Sequence, residues 1–317
     1  MIYKITNEII NGKRLSREDD LSFLLEENLE ELCKCADLIR KSLCGNKVEL
    51  CSIISGKKGN CTENCKFCAQ SKHNITGIDN YELLDEDDMV KDCINHAMKG
   101  VHRYSIVTSG RKLNNEELKK VCSAYKKMKN NAEIELCASH GLLNKDEFLK
   151  LKESGVTMYH ENIETSKRFF KNICTSHTYE DKIASINAAK NAGLLICSGG
   201  IIGMGESFED RIDMAVSLSE LRVDSIPINV LIPIKGTELE DQESISENDI
   251  LRTIAIFRFL NPTARIRLAA GRNSMSECGV KAFNAGANAT ITGDMLTTSG
   301  NNIEDDKKML KSLGFNL

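Results

Sequence analysis

The sequence predicts an α/β protein, a (β/α)8 TIM barrel with an N-terminal helical extension, and three observations carry that expectation. From residue 48 onward, eight short β-branched or apolar runs alternate with amphipathic helical stretches, the signature of consecutive parallel βαβ units. The chain has 317 residues, 41% apolar and 28% charged, enough for one large domain with its own core. The chemically unusual residues fall at the C-terminal ends of the runs or in the loops just after them, where barrels of this kind carry their chemistry.

Residues 15–43 read as one or two charged helices, a lid or packing extension. The expected division is therefore an N-terminal helical extension over 1–46 and a barrel domain over 47–317. The first strand is VELCSII (48–54), followed by a helix over 85–99; HRYSIVT (102–108) precedes 114–129 and EIELCAS (133–139) precedes 144–153. VTMYHEN (156–162) leads to a helix over 179–191, LLICSGG (194–200) to 206–220, and SIPINVL (225–231) to 246–259. ARIRLAA (264–270) with 275–284, and NATITG (288–293) with 303–313, complete eight units. No internal repeat, low-complexity segment or linker interrupts them.

Forty-two basic against 46 acidic residues give a net charge of −4, which provides no broad cationic surface for nucleic acid or anionic lipid. No run approaches the roughly 20 apolar residues that cross a bilayer, so the chain reads as cytoplasmic, without a nucleic-acid or membrane partner. Thirteen cysteines are too few for a disulfide scaffold and too many for an ordinary soluble enzyme. In a reducing compartment a cluster of them is read first as a metal site. Cys33, Cys35, Cys44, Cys93 and Cys122 lie in helix-like segments or at their ends and read as small core filler.

The segment GNCTENCKFCAQS differs: it sets Cys61, Cys65 and Cys68 in a C-x3-C-x2-C arrangement on a loop too short to spread them apart. Three converging thiolates can hold three irons of a [4Fe-4S] cubane and leave the fourth open to a ligand that is not protein. The alternatives are a structural zinc site with His73 as fourth ligand, or a buried triplet of core cysteines. Thr62, Glu63, Asn64 and Lys66 make the loop polar and oppose the second.

With Phe67 just before the last cysteine and a barrel behind it, the motif resembles the radical S-adenosylmethionine superfamily. The resemblance implies that S-adenosylmethionine chelates the vacant iron and that one electron cleaves its sulfonium to a 5'-deoxyadenosyl radical, with Cys61, Cys65 and Cys68 as cluster ligands and catalytic residues. CSIISGKKGNCTENCKFCAQS, IELCASHG, YHENIETSKRFFKNICTSHTYEDKI, ICSGGIIGMGE, SIPINVLIPIKGT and RIRLAAGR, in this order, span most of the chain and resemble the biotin synthase family. That likeness implies sulfur insertion between two unactivated carbons of dethiobiotin, with sulfur drawn from an auxiliary iron-sulfur cluster deeper in the barrel. By position it sets Phe67 against the adenosyl group, Ser109 and Gly110 near the methionyl amino group, and Asn162 and Glu164 at substrate and ribose. Glu164 stands at a family Asp position, its carboxylate one methylene further out. Asn229 falls where an amide pairs with the dethiobiotin ureido ring. Gly199, Gly200, Gly203 and Gly205 would let backbone approach S-adenosylmethionine, although GGIIGMG taken alone is equally a tight turn.

The chain also departs from the family pattern. Better-known members hold a [2Fe-2S] centre with three cysteines and an arginine; Cys137, Cys197 and Arg267 match three of these positions, but Ser105 replaces the cysteine of the second strand. Serine is a far poorer iron ligand than thiolate. Cys51 on the first strand offers a replacement, because Cys51, Cys137, Cys197 and Arg267 lie on four odd strands and can share one interior layer. The wording of the chain resembles the branch from strict anaerobes, so the auxiliary cluster is expected as [2Fe-2S] or larger. Cys174 and Cys278 are further ligand candidates. His177 and His160 stand where the family has an arginine and an asparagine. The resemblance further implies a flavodoxin or ferredoxin as electron donor and a homodimer. Competing readings are another barrel enzyme of the superfamily, akin to the hydrogenase maturase or methylornithine synthase, a non-catalytic iron-sulfur or zinc carrier, and a family member inactivated by loss of that cysteine.

Overall fold

The structure, a computed structural model, describes residues 1–294, 296 and 300–317. Among the described residues the strands are β1 (Glu49–Lys57), β2 (Arg103–Thr108), β3 (Glu135–Ser139), β4 (Met158–His160), β5 (Leu195–Cys197), β6 (Gly200–Ile202), β7 (Ser225–Val230), β8 (Arg265–Leu268) and β9 (Ala289–Ile291). They form one parallel sheet in the order β5-β4-β3-β2-β1-β9-β8-β7-β6, and Cys197 of β5 also pairs with Ser225 of β7. That pairing closes the sheet into the expected barrel, with β5 and β6 together serving as the fifth barrel strand.

The split of this strand departs from the single run expected over 194–200. Two glycines account for it. A Cβ on Gly199 would lie 2.0 Å from the Pro227 carbonyl oxygen, and one on Gly200 would lie 2.2 Å from that of Glu164. The backbone therefore steps sideways between β4 and β7 at a closeness that only glycine permits.

The helices that follow the strands are α4 (Glu86–Met98), α5 (Asn115–Asn131), α6 (Lys145–Glu153), α8 (Tyr179–Asn191), α9 (Phe208–Glu220), α10 (Glu247–Leu260) and α12 (Ile303–Ser312), with a short α7 (Phe170–Ile173) ahead of α8. Five of them open with a reciprocal cap: Asn114 with Glu117, Asn144 with Glu147, Thr178 with Asp181, Ser207 with Asp210, and Ser246 with Asp249. Each cap satisfies backbone donors that the first turn leaves free and stabilises its helix by about 1 kcal/mol. The helix expected over 275–284 is instead two 3-10 turns, Arg272–Ser274 and Ser276–Gly279, followed by the one-turn α11 (Val280–Phe283). Glu277 and Cys278 take left-handed φ values of 49° and 51°, which a continuous α-helix cannot contain.

Ahead of the barrel lie α1 (Ile2–Ile10), α2 (Phe23–Glu26) and α3 (Leu29–Cys44). The expectation of one or two helices over 15–43 holds for α2 and α3 and omitted α1, which buries Ile2 and Ile9 against α3. In turn α3 packs on α10. No helix among the described residues is long and apolar enough to cross a membrane.

One charged side chain in α10 ties the lower barrel together. Arg258 is fully buried; its Nε donates to the Gly286 carbonyl at 2.9 Å, Nη1 to those of Pro262 and Ala264 at 3.0 and 2.8 Å, and Nη2 to Asn288 Oδ1 at 2.8 Å. Burial lowers its pKa to about 10. Arg258→Met keeps most of the volume but leaves these acceptors without donors. It should cost about 2–4 kcal/mol of unfolding free energy, read as a lower denaturation midpoint at unchanged slope; a near-neutral effect would contradict this role.

Candidate active site at the mouth and floor of the barrel

β1 delivers the chain into the cysteine loop, which its own backbone curls. The Cys61 N–H donates to the Gln70 carbonyl at 2.9 Å and the Cys61 carbonyl accepts from Lys72 at 2.8 Å. The Cys68 N–H donates to the Cys65 carbonyl at 3.1 Å, and the Asn74 amide donates to the carbonyls of Cys65 and Cys68 at 3.2 and 2.8 Å. Burial, with Cys61 adding to it, pushes the Cys68 thiol up to about 11. Cys65 is raised by its contact with Cys174, by burial and by Cys68. The loop thus brings its thiols together: Cys61 acts on Cys68 and Cys68 acts on Cys65, the proximity expected of donors to one cation group. His73 is engaged with the Thr62 carbonyl at 3.2 Å and joins no metal-ligating group among the described residues.

Below the loop opens a largely apolar cavity of about 340 Å³ inside the barrel. Phe67 and Cys68 line it at the mouth; Asn162, Glu164 and Asn229 line its wall; Cys51, Ser105, Cys137, Cys197 and Arg267 line it deeper, among Ile53, Val107, Met158 and Ile291. Cys51 stands on β1, Cys137 on β3, Cys197 on β5 and Arg267 on β8, which are the first, third, fifth and seventh barrel strands. The four are close enough to act on one another's charge: Arg267 and Cys197 both bear on Cys51, and Cys197 and Cys51 both bear on Cys137. Burial pushes Cys51 up to about 11 and raises Cys137. Burial acts the same way on Cys197, but the His160 imidazole and the Arg267 guanidinium outweigh it and hold that thiol below its ordinary value.

Ser105 pairs in register with Cys137, and among the described residues its Oγ makes no hydrogen bond of normal geometry. Neither does Nη1 of Arg267. The other edge of the Arg267 guanidinium is held by Glu49 and by Ser225 Oγ at 3.3 Å. Three soft thiols, one cation and two buried polar atoms without partners in the same cavity are a donor set that fits an anionic iron-sulfur group.

Glu49 sits beneath this floor among Arg103, Arg265 and Arg267. Arg103 Nε lies 3.5 Å from Glu49 as an ion pair, too poorly aligned to count as a hydrogen bond.

At the mouth, Asn162 Oδ1 accepts from the Gly199 N–H at 3.0 Å, and its amide donates to Glu164 at 3.4 Å. Glu164 takes a left-handed φ of 68°, rare for a residue with a side chain and concentrated at functional sites. Burial raises its carboxyl despite Lys182 at 4.0 Å. Lys182, on α8, pairs with Glu161 at 2.5 Å; sequence reasoning did not single out this buried pair, although Lys182 falls on the inward face of its helix. Asn229 donates to the Gly200 carbonyl at 3.1 Å and accepts from the Ala270 N–H at 3.2 Å, leaving one N–H and one lone pair free. Ser109 donates to the Gly59 carbonyl at 2.7 Å. Neither Ser109 nor Gly110 lines the cavity, and Gly200, also outside its lining, packs against the Glu164 carbonyl and Met214. Cys278 is exposed and remote from the cavity lining, whereas Cys174 lies 3.7 Å from Cys65.

Comparison with known proteins defines the class first. Residues 58–218 match the Radical SAM superfamily and residues 227–316 match the Biotin and Thiamin Synthesis associated domain. The chain is 65% identical over 316 residues to the biotin synthase of Alkaliphilus metalliredigens, covering 100% of this chain and 99% of that one. It is 60% identical to that of Clostridium beijerinckii, covering 99% of both. The chain belongs to the biotin synthase family. Among solved structures, methylornithine synthase superposes with a TM-score of 0.84 at 21% identity, over 98% of this chain and 96% of that one. A maturase of the [FeFe]-hydrogenase superposes with 0.81 at 15%, over 99% and 74%. These two share the fold alone.

The floor carries a pH dependence. Burial alone would raise the Glu49 carboxyl, but Arg267, Arg103 and Arg265 outweigh it and hold it at about 2. A carboxyl depressed in the folded state stabilises above its unfolded pKa, near 4.5, and loses that contribution as pH falls toward 2. In cluster-free protein, Glu49→Gln should therefore cost about 3 kcal/mol at neutral pH. It should also flatten the dependence of unfolding free energy between these two values; an equally steep dependence in the variant would overturn the assignment.

Proposed function

We propose that this protein converts dethiobiotin to biotin by radical sulfur insertion. One observation carries the reading: a single apolar cavity runs from Phe67 and Cys68 at the mouth to Cys51, Cys137, Cys197 and Arg267 at the floor. It can therefore hold a radical source and a sulfur source at opposite ends of one substrate. When bound, a [4Fe-4S] cluster supplies the electron that cleaves S-adenosylmethionine to a carbon radical, and an auxiliary cluster, [2Fe-2S] or larger, supplies the sulfur.

The residues of the chain divide the remaining work. Cys61, Cys65 and Cys68 hold the first cluster, and Phe67 packs against the adenosyl group. Glu164 accepts from ribose hydroxyls, while the uncommitted N–H and lone pair of Asn229 meet the donor and acceptor of the ureido ring. Asn162, already tied to Gly199 and Glu164, orients the substrate between them. Ser109 and Gly110 shape the loop that receives the methionyl amino group, and the close backbone at Gly200 forms the wall beside it. Cys51, Cys137, Cys197 and Arg267 hold the auxiliary cluster, with Cys51 in place of the thiol that Ser105 lacks. The apolar lining excludes water from a reactive carbon radical, and the fixed donors position it. The family likeness supports a flavodoxin or ferredoxin as electron donor, a homodimer, and a division into a 1–46 extension and a 47–317 barrel domain.

Alanine variants separate the two ends of the cavity. Cys61→Ala, Cys65→Ala or Cys68→Ala should abolish S-adenosylmethionine cleavage; Cys137→Ala or Cys197→Ala should retain cleavage and stop biotin formation. Mössbauer spectra of the Cys61, Cys65, Cys68 triple Ala variant should still show iron, now in the auxiliary cluster. Biotin formation by both Cys137→Ala and Cys197→Ala, or an iron-free triple variant, would sink the sulfur-donor assignment.

A further inference from the structure

Beside the cysteine loop, among residues that do not line the cavity, a second group of soft ligands converges, and two of its members, Cys174 and His177, are left unused by the proposed chemistry. Cys65 Sγ and Cys174 Sγ are 3.7 Å apart, and Cys174 Sγ lies 3.4 and 3.8 Å from Nδ1 and Nε2 of His177. One ligand atom from each of the three residues falls within 4.8 Å of the other two. A tetrahedral zinc ion, with Zn–S of roughly 2.3 Å and Zn–N of roughly 2.0 Å, separates two of its sulfurs by roughly 3.8 Å and a sulfur from a nitrogen by roughly 3.5 Å. The Cys65–Cys174 separation matches that of two sulfurs on one ion, and the 3.8 Å from Cys174 to Nε2, the ring nitrogen not taken by Glu63, is longer by only a few tenths of an ångström. A cubane, by contrast, places its thiolates on different irons and hence further apart.

The surroundings are built to hold this arrangement. Nδ1 of His177 is 2.5 Å from Glu63 Oε2, and that carboxylate also accepts from Ser176 Oγ at 2.8 Å and faces Arg111 at 3.4 Å. A carboxylate on one ring nitrogen orients the other toward a metal and raises its basicity. Asn64 Oδ1 accepts from the backbone N–H groups of Thr175 and Ser176 at 3.0 and 2.9 Å, and so fastens the segment carrying Cys174 to the cysteine loop. Cys174 is buried, and so is His177.

We propose that Cys65, Cys174 and His177 form a mononuclear site for a borderline-soft divalent cation of the Zn2+ class, with Glu63 orienting the imidazole and the fourth position open. Because Cys65 is shared with the cubane, the site accepts its ion only in cluster-free protein, and metal occupancy and cluster assembly exclude each other. That exclusion rests on the function proposed above; the site itself does not.

The test is a titration of anaerobic, chelator-stripped protein with Co2+, whose thiolate charge-transfer and tetrahedral ligand-field bands report the donor set. One equivalent should bind to the wild type. Cys174→Ala and His177→Ala should weaken binding by more than about tenfold, and Glu63→Gln by about tenfold, while Cys61→Ala and Cys68→Ala should keep both stoichiometry and spectrum. Circular dichroism of each variant checks that it is folded. If Cys61→Ala or Cys68→Ala abolishes the bands and Cys174→Ala does not, the ion occupies the C-x3-C-x2-C motif and the proposal is wrong. Preloading with Zn2+ should slow cluster reconstitution in the wild type and not in Cys174→Ala; equal slowing in both would overturn the shared ligand. Failure to make biotin with the Co2+ pattern intact would count against the proposed function alone.

Discussion

The active cavity depends on the closure of the barrel between Gly199 and Gly200. The Pro227 and Glu164 carbonyls occupy the space that side chains at these positions would need, so the fifth strand steps from β5 to β6 and reaches β7. This step turns Cys197 inward below it and lets Asn162 and Asn229 reach the same stretch of backbone from opposite sides. The closure is thus a backbone constraint with side-chain consequences. It also explains why Glu164 holds a left-handed conformation: its N–H donates to the Gly199 carbonyl and its own carbonyl accepts from the Ile201 N–H, and these two hydrogen bonds fix the turn carrying its carboxylate.

Electrostatics divides the cavity vertically. At the floor, one glutamate is shared among three arginines, so the site as a whole carries excess positive charge close to the buried thiols. A buried guanidinium with an unsatisfied N–H is costly in an empty cavity and favourable beside an anionic group. At the mouth the balance is reversed, with Glu161 and Glu164 both paired, among the described residues, to the one ammonium of Lys182. The two ends therefore favour different occupants before any specific contact forms.

The barrel was legible because the alternation of apolar runs and amphipathic stretches reports burial directly, and the cysteine loop because three thiols in eight positions have few other uses. The split fifth strand was not legible, since LLICSGG shows one apolar run and the steric reason for the step lies in Pro227 and Glu164, far along the chain. The helix expected over 275–284 fails for a backbone reason: Met275 is extended and Glu277, Cys278 and Gly279 are left-handed, so only its last turn forms. The helix starts carried a signal that was available, the repeated N-x-x-E, T-x-x-D and S-x-x-D steps of the reciprocal caps. Arg258 was also visible as a charge in an apolar run, whereas Arg103 and Lys182 sit among polar neighbours; the partners of all three come from other elements and no local pattern identifies them. Cys174 and His177 read as isolated oddities until the fold brought them to Cys65 and Glu63.

Replacement of a second-strand cysteine by Ser105 illustrates what a barrel interior tolerates. Inward positions on alternate strands share a level, so a ligand lost from one strand can be supplied from another without moving the backbone, provided the cavity between them is open. Ser105 and Cys51 both line that cavity, and Cys51 stands beside Arg267. The Cys51 thiol stands within the field of Arg267 and Arg103, and Ser105 leaves a small hydroxyl in register with Cys137. On the proposed reading, β1 supplies the third thiol at the level of the other donors, and the barrel keeps its backbone unchanged.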